Sequence, residues 1–396
     1  MEFKKKLLLI NVQELLFYAG MVSLSFIAVI LGETGMDGTA VGAAMSGISV
    51  VSMLTPPLFG MLADKIGVRK TFCIALTGAS IVWFFVPLSV GVKLGTLPLT
   101  VVLLLSGTFF RASHESLMDS WLMKIQDSEP SFNYSNTRKY GSLGYAAMAA
   151  LSTPLAALLG TGAVFWLMPL FLIPILFLAS RIGDPGPAVG KTAPSKAKGE
   201  KLQLGRLFHS YDLMTYFACA IFMLMPFSGS GIQLQYLVGD IMGDKSMVGL
   251  LAGIKAGAEF FCFLLVPKVQ KRVKPSVLIC LVFGYYACEA FLLSTAHSIW
   301  VVIALMLSSG VAFAFMISTV INYIHSKAPE GLSSTVVTVN GAIMGVAGII
   351  ANNVCGILRD AAGVRTGYLV VGTVGICAVG LFILFQVLGK RLRKTA

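Results

Sequence analysis

Six ionisable side chains stand inside long apolar stretches of this 396-residue sequence: Arg111, Glu115 and Asp119 together, Arg138 at the head of the next stretch, and Lys255 with Glu259 further on. A charge at bilayer depth is costly, and where it persists it pairs with another charge, lines a water-filled cavity or binds something. Arg111, Glu115 and Asp119 recur at i+4, so on a helix they form one stripe rising about 12 Å, with His114 on its flank. The stripe has two readings: a self-neutralised Arg111–Glu115 pair with Asp119 near the headgroups, or one wall of a cavity. Four polar groups on one face exceed what mutual neutralisation needs. Arg138 reads either as a topology-setting charge beside Lys139 or as a ligand-binding fork. An Arg offers rigid paired donors and a carboxylate offers acceptors, and together they grip vicinal hydroxyls. Tyr145, seven residues on, adds an aromatic face for a sugar or base ring. Lys255 and Glu259 are a neutralised i,i+4 pair or a working one. Burial favours the neutral form of a carboxyl group, which makes Glu259 and Glu115 the candidate proton carriers.

Weaker candidates surround these. Glu14, near Asn11, Gln13 and Tyr18, is a further cavity residue. Asp212 and Glu289 fall near the ends of apolar runs and read as solvated. His325 stands beside Ser326 and Lys327 at a span end. Asn340, Asn352 and Asn353 line a cavity or bond helix to helix.

The elements that must hold these residues are membrane helices. Only 12% of the residues are charged and 56% are hydrophobic, with a mean hydropathy of +0.84. Soluble domains carry roughly 25% charged residues, so this chain cannot coat a water-facing surface. A helical span needs about 20 apolar residues. Apolar runs bounded by charge and turn clusters predict twelve spans near 7–32, 42–62, 71–92, 97–123, 140–160, 163–180, 213–236, 247–266, 276–296, 299–324, 334–356 and 367–388.

The net charge of +12 is a topology signal and not a nucleic-acid signal. With the N-terminus in the cytoplasm, 24 of the 30 Lys and Arg face that side: three before the first span, three in each of the next two cytoplasmic connections, six in the central loop and nine beyond it. Lys93, Lys245, Arg359 and Arg365 alone lie outside, and Arg111 and Lys255 lie within spans. Both termini are therefore placed in the cytoplasm, in the plasma (inner) membrane. Lys4–Lys6 before an apolar run resemble the start of a signal peptide, but the run continues to Leu31 without a small-residue cleavage site and reads as a retained span. The polar, Pro-, Gly- and Lys-rich interval 181–206 separates residues 1–180 from 207–396, six spans from six, as a flexible linker whose charge lies against anionic lipid. The seven cysteines are dispersed and odd in number, and neither they nor the four histidines have metal spacing, so no metal or cofactor is expected. No nucleophile–base motif or phosphate loop points to an enzyme.

One loop makes the class specific. Residues 60–70 read GMLADKIGVRK, between the second and third spans. Gly60 suits close helix approach, Gly67 a tight reversal, and Asp64 a charge-assisted bond or a helix cap. The pattern resembles the signature loop of the major facilitator superfamily, with Val68 where a further basic residue is usual. That resemblance implies an all-α fold of 12 transmembrane helices in two six-helix halves, and a gating latch held by Asp64 and Arg69. The stretch SFNYSNTRKYGSLGYA at 131–146 carries Arg-x-x-Gly-x-x-Gly-aromatic about 19 residues after Asp119, similar to the lactose permease group with its nucleoside:proton symporters. GVRTGYLVVG at 363–372 is similar to the turn before that group's last span. The resemblance implies a charge pair of Asp119 with Arg138 at a sugar site, Tyr145 stacking on the ring, and sugar and proton handling near Glu259. Here Asp119 replaces a Glu and Tyr145 a Trp. The expectation is proton-coupled symport of a small polar solute by a monomer, with sodium as the other coupling ion open to these carboxylates. The alternative is a proton-coupled efflux antiporter, although Pro154 follows ALST and not the Gly-rich run usual in such exporters.

Overall fold

The computed structural model describes residues 3–129, 132, 134–184, 210–263, 265–328 and 333–395, so that all of the expected linker beyond Asp184 lies outside the described residues. The chain is helical almost throughout. In order come α1 (Phe3–Gly20), a 3₁₀ turn (Met21–Phe26), α2 (Ile27–Glu33), α3 (Gly38–Ile66), α4 (Val68–Phe85), α5 (Leu99–Arg111), α6 (His114–Ser128), α7 (Tyr134–Leu159), α8 (Thr161–Phe165) and α9 (Leu167–Ile182). There follow α10 (Tyr211–Met223), α11 (Met225–Met242), α12 (Val248–Phe263), α13 (Val266–Gln270), α14 (Pro275–Ser294), α15 (Ile299–Lys327), α16 (Ser333–Ala362) and α17 (Val364–Thr395). A two-residue hairpin, Lys93–Leu94 against Leu97–Pro98, precedes α5. Helices satisfy their own backbone polar groups, which is what a bilayer demands.

Among the described residues, ten helical stretches are long and apolar enough to cross a membrane. The two expected spans missing from that set, 97–123 and 247–266, carry five of the six ionisable side chains named above: Arg111, Glu115, Asp119, Lys255 and Glu259. The first is broken: α5 ends at Arg111 and α6 restarts at His114. The second, α12, has only 16 residues and holds Lys255 and Glu259.

The chain divides into two compact units. The first comprises Met1–Met36, Val50–Lys198 and Ser246–Ala256, and the second Asp37–Ser49, Gly199–Lys245 and Gly257–Ala396. Helices α3 and α12 thus contribute one end to each. In the first unit α1 packs along α7 and α9, and α4 along α5, α6 and α9. Phe17, Phe72, His114 and Trp121 form its aromatic centre, with ring centroids 6.0–6.4 Å apart. In the second unit α14 packs along α15 and α17, and Tyr216, Tyr323 and Phe382 meet in the core. Lipid tails are as apolar as Leu, so these contacts stabilise by close packing and dispersion more than by the hydrophobic effect. Large apolar side chains such as Leu158, Phe177, Phe261 and Trp300 stay exposed, the face expected toward lipid.

Candidate functional site

The site grows from a close crossing of α1 and α7. Arg138, Gly141, Gly144 and Tyr145 follow at helical spacing and share one face of α7. A methyl group built on Gly144 would collide with the Leu15 carbonyl oxygen, and one on Gly141 with the Tyr18 ring. The two glycines therefore bring the backbone of α1 against α7, as small residues do between membrane helices.

That approach lays Tyr18 beneath Arg138. The guanidinium carbon sits 4.1 Å from the centre of the Tyr18 ring, a cation–π contact worth on the order of 0.5–2 kcal/mol. The Tyr18 hydroxyl donates to Glu115 Oε1 at 2.6 Å, and Arg138 Nη2 donates to the same oxygen at 3.1 Å. Glu14, one turn before Tyr18, is fully buried and within electrostatic reach of Arg138, Asp119 and Glu115. Among the described residues neither of its carboxylate oxygens has a hydrogen-bond partner. Three carboxylates thus gather about one guanidinium and one phenol. The Glu115 side chain is 59% exposed and that of Arg138 34%, so this polar cluster opens to water on one side. Tyr145 lies further along α7, with its hydroxyl 2.9 Å from Ser25 Oγ on the 3₁₀ turn.

Several expectations change. The stripe of Arg111, Glu115 and Asp119 is not one continuous helix, because the chain breaks at Ala112–Ser113. Glu115 consequently bonds Arg138 and Tyr18, and among the described residues it forms its ion pair with Arg138 and not with Arg111. His114 turns into the core between Phe17 and Phe72, where it is buried. Glu289 is not solvated: it is 4% exposed, with Ser309 Oγ donating to it at 3.4 Å. Its helix continues to Ser294, which leaves it more than a turn inside the span. Asp212 is also buried, and Lys327 holds it at 2.7 Å.

The remaining residues are dispersed. Lys255 falls in the first unit and Glu259 in the second, one turn apart on α12. In the signature loop Gly67 has φ +97°, the reversal expected between α3 and α4. Arg69 donates to Asp184 through Nε and Nη2, at 2.9 and 2.8 Å, and Asp64 is exposed at the end of α3. A methyl group on Gly60 meets no described atom within 4 Å, so the close helix approach expected there does not occur. Asn340 accepts from the Tyr216 hydroxyl and Asn353 donates to Ser46 Oγ at 2.6 Å, both helix-to-helix bonds. The side chain of His325 lies outside the described residues.

The sequence profile of the MFS_1 like family matches residues 8–370. The chain belongs to this family of the major facilitator superfamily. This major facilitator chain is accordingly a multi-pass membrane transporter for a small molecule, and not an enzyme. It is 25% identical over 385 residues to the sucrose permease of Escherichia coli, covering 91% of this chain and 88% of that one. It is also 25% identical over 386 residues to the maltose permease of Geobacillus stearothermophilus, covering 96% and 93%. Among solved structures, a mutant of the nucleoside transporter NupG superposes with a TM-score of 0.82 at 13% identity, over 96% of this chain and 99% of that one. The POT family transporter PepTSo superposes with a TM-score of 0.72 at 11% identity, over 98% of each chain. At such identities the structural likeness speaks for the fold alone. Within the major facilitator chain, Tyr18 is the site residue that sequence reasoning undervalued. The signal for it was the Arg-x-x-Gly-x-x-Gly spacing, which marks a groove on α7 that a neighbouring ring must fill.

Proposed function

We propose that this transporter is a proton-coupled symporter importing a sugar, glycoside or nucleoside by alternating access. In this reading twelve spans form two six-helix halves, 1–180 and 207–396, joined by the basic linker 181–206. Both termini lie on the cytoplasmic side of the plasma membrane, lipid surrounds the spans, and the monomer is the working unit. The observation that carries the proposal is the shared bonding of Glu115 Oε1 by Tyr18 and Arg138, beside Glu14 and Asp119. Donors and acceptors of that cluster match a polyhydroxylated solute, and the Tyr18 and Tyr145 rings match the apolar face of a sugar or base. Arg111 and Lys255 complete the substrate-binding set in this reading. The relatives named for sucrose and maltose support the same solute class.

The charge balance supports the proton. Glu14, Glu115, Asp119 and Arg138, all ionised, carry more negative than positive charge in one small volume, and taking up a proton relieves that excess. Glu115 exchanges a proton in contact with the solute in this reading, and Glu259 carries one on α12. Sodium is the other ion such carboxylates ligate. The loop residues Gly60, Asp64, Gly67 and Arg69 are assigned to gating, with Arg69 held by Asp184 in the conformation described. Purified protein in liposomes, given an inward proton gradient, is expected to accumulate one member of a labelled sugar and nucleoside panel. Accumulation of none, with dye efflux in its place, overturns the proposal in favour of an exporter.

A further inference from the structure

At the Lys-rich end of the second unit, α10, α14, α15 and α17 enclose a cavity of about 310 Å³ that no role above uses. Asp212, Lys274, Ser276, Tyr323, Lys327 and Gln386 line it. Its back wall is organised. Lys327 Nζ meets Asp212 Oδ2 at 2.7 Å, and Gln386 Nε2 donates to the Tyr323 hydroxyl at 3.2 Å. Lys327 is thereby already neutralised by Asp212. Lys274 is different: it is exposed, and among the described residues its ammonium makes no ion pair. Its backbone is fixed at the head of α14, where its carbonyl accepts from Val277 and Leu278 at 3.0 and 3.1 Å. Ser276 adds a hydroxyl and an N–H that, as the second residue of the helix, has no acceptor within it. Donors converge here on a space that suits a group with several acceptor oxygens and about one negative charge.

One apolar row leads away from this cavity. Val277 and Leu281 on α14 are 46% and 61% exposed. They follow Lys274 at i+3 and i+7, so they lie on its side of the helix and form an apolar track that begins at the cavity mouth. A ligand with an anionic head and an apolar tail fits this arrangement, whereas a free anion leaves the track unused. Basic pockets between membrane helices at headgroup depth are suited to anionic lipids.

We propose that the cavity binds the phosphodiester headgroup of an anionic phospholipid, with Lys274 and Ser276 on the phosphate oxygens, the Lys327–Asp212 pair behind it, and an acyl chain along the Val277–Leu281 track. The leaflet, the cytoplasmic one, rests on the orientation proposed above; the site itself does not.

The full chain, purified into nanodiscs of equal phosphatidylcholine and phosphatidylglycerol and released for native mass spectrometry, is expected to retain phosphatidylglycerol preferentially. Lys274→Ala should reduce that retention about fivefold, the effect of one Lys beside an anionic headgroup. Lys268→Ala, which removes a charge on α13 outside the lining, should leave retention unchanged and also controls for folding. Equal losses in both variants overturn the site, as does equal retention of the two lipids by the unaltered chain. Displacement of bound lipid by excess inorganic phosphate overturns the lipid assignment in favour of a soluble phosphate. Orientation is read separately: Lys274→Cys, labelled from outside intact cells above the background of the unaltered chain, overturns the leaflet while the nanodisc result stands.

Discussion

Arg138 and Tyr18 are coupled twice: the guanidinium carbon lies 4.1 Å from the phenol ring centre, and both side chains donate to the same oxygen of Glu115. Arg138 is therefore held from below by a ring and from the side by a carboxylate, so that its planar fork has a defined direction. A Lys can supply the charge but not the plane. Arg138→Lys is expected to lose at least about tenfold in substrate affinity, since charge-assisted hydrogen bonds contribute roughly 1.5–3 kcal/mol. Binding to purified protein, measured by calorimetry, checks this; affinity within twofold of the unaltered chain would remove Arg138 from the site.

Tyr18 separates the two couplings. Tyr18→Phe keeps the ring under Arg138 and removes the 2.6 Å bond to Glu115. Loss of a single hydrogen bond, about 0.5–1.5 kcal/mol, corresponds to a roughly 2- to 12-fold weaker binding. Tyr18→Ala removes both couplings and should weaken binding further. Equal affinities for the two variants would show that the ring contact does not orient Arg138.

The crossing of α1 and α7 makes a stability prediction. Gly144→Ala forces a methyl group toward the Leu15 carbonyl, and relieving that overlap should cost about 1–3 kcal/mol. Gly60→Ala, with no described atom within 4 Å, should hold or raise the melting temperature, since Ala is the better helix former. Thermal melts of the two variants in the same detergent make the comparison. A Gly144→Ala protein as stable as the Gly60→Ala one contradicts the proposed crossing.

Glu259 bears on coupling. Glu259→Gln is expected to keep substrate counterflow, which needs no net proton movement, and to lose accumulation driven by a pH gradient. Paired liposome assays separate the two activities. Undiminished gradient-driven accumulation would take Glu259 out of the proton path and leave Glu115 as the carrier.

Asp360, on α16, accepts three bonds from the start of α3: from Gly38 N at 2.8 Å, Thr39 N at 2.6 Å and Thr39 Oγ1 at 2.7 Å. It acts as a helix cap supplied by another helix, and caps contribute about 0.5–2 kcal/mol. Asp360→Ala should lower the melting temperature, and Asp360→Asn, which keeps an acceptor oxygen, should recover most of the loss. Identical melts for Ala and Asn would mean that the bonds to α3 add little.

Much of this was legible in the residue order. The apolar runs announced the spans, because a bilayer permits few other solutions for such a composition. GMLADKIGVRK announced the superfamily, and the reversal at Gly67 followed from it. The pairing inside the site was not legible. Periodicity treated Arg111, Glu115 and Asp119 as one stripe, but two non-helical residues between α5 and α6 release Glu115 toward Arg138. Nothing in the spacing of Glu115 encodes a partner 23 residues away. His114 reads as polar by type, and only its neighbours Phe17 and Phe72 explain why it is buried. Glu289 was misjudged because hydropathy locates span ends to within a turn or so, and a turn decides whether a carboxylate meets water.

The capped helix α3 carries Pro56 and Pro57 within its 29 residues. Neither proline offers an N–H, so the carbonyls of Ser52 and Met53 receive no helical bond from them. These gaps lie just past Ser49, where the helix passes from the second unit to the first. Bending α3 there breaks fewer hydrogen bonds than bending it anywhere else along its length. One continuous rod thus contains a built-in elbow, and Asp360 clasps the arm of it that belongs to the second unit.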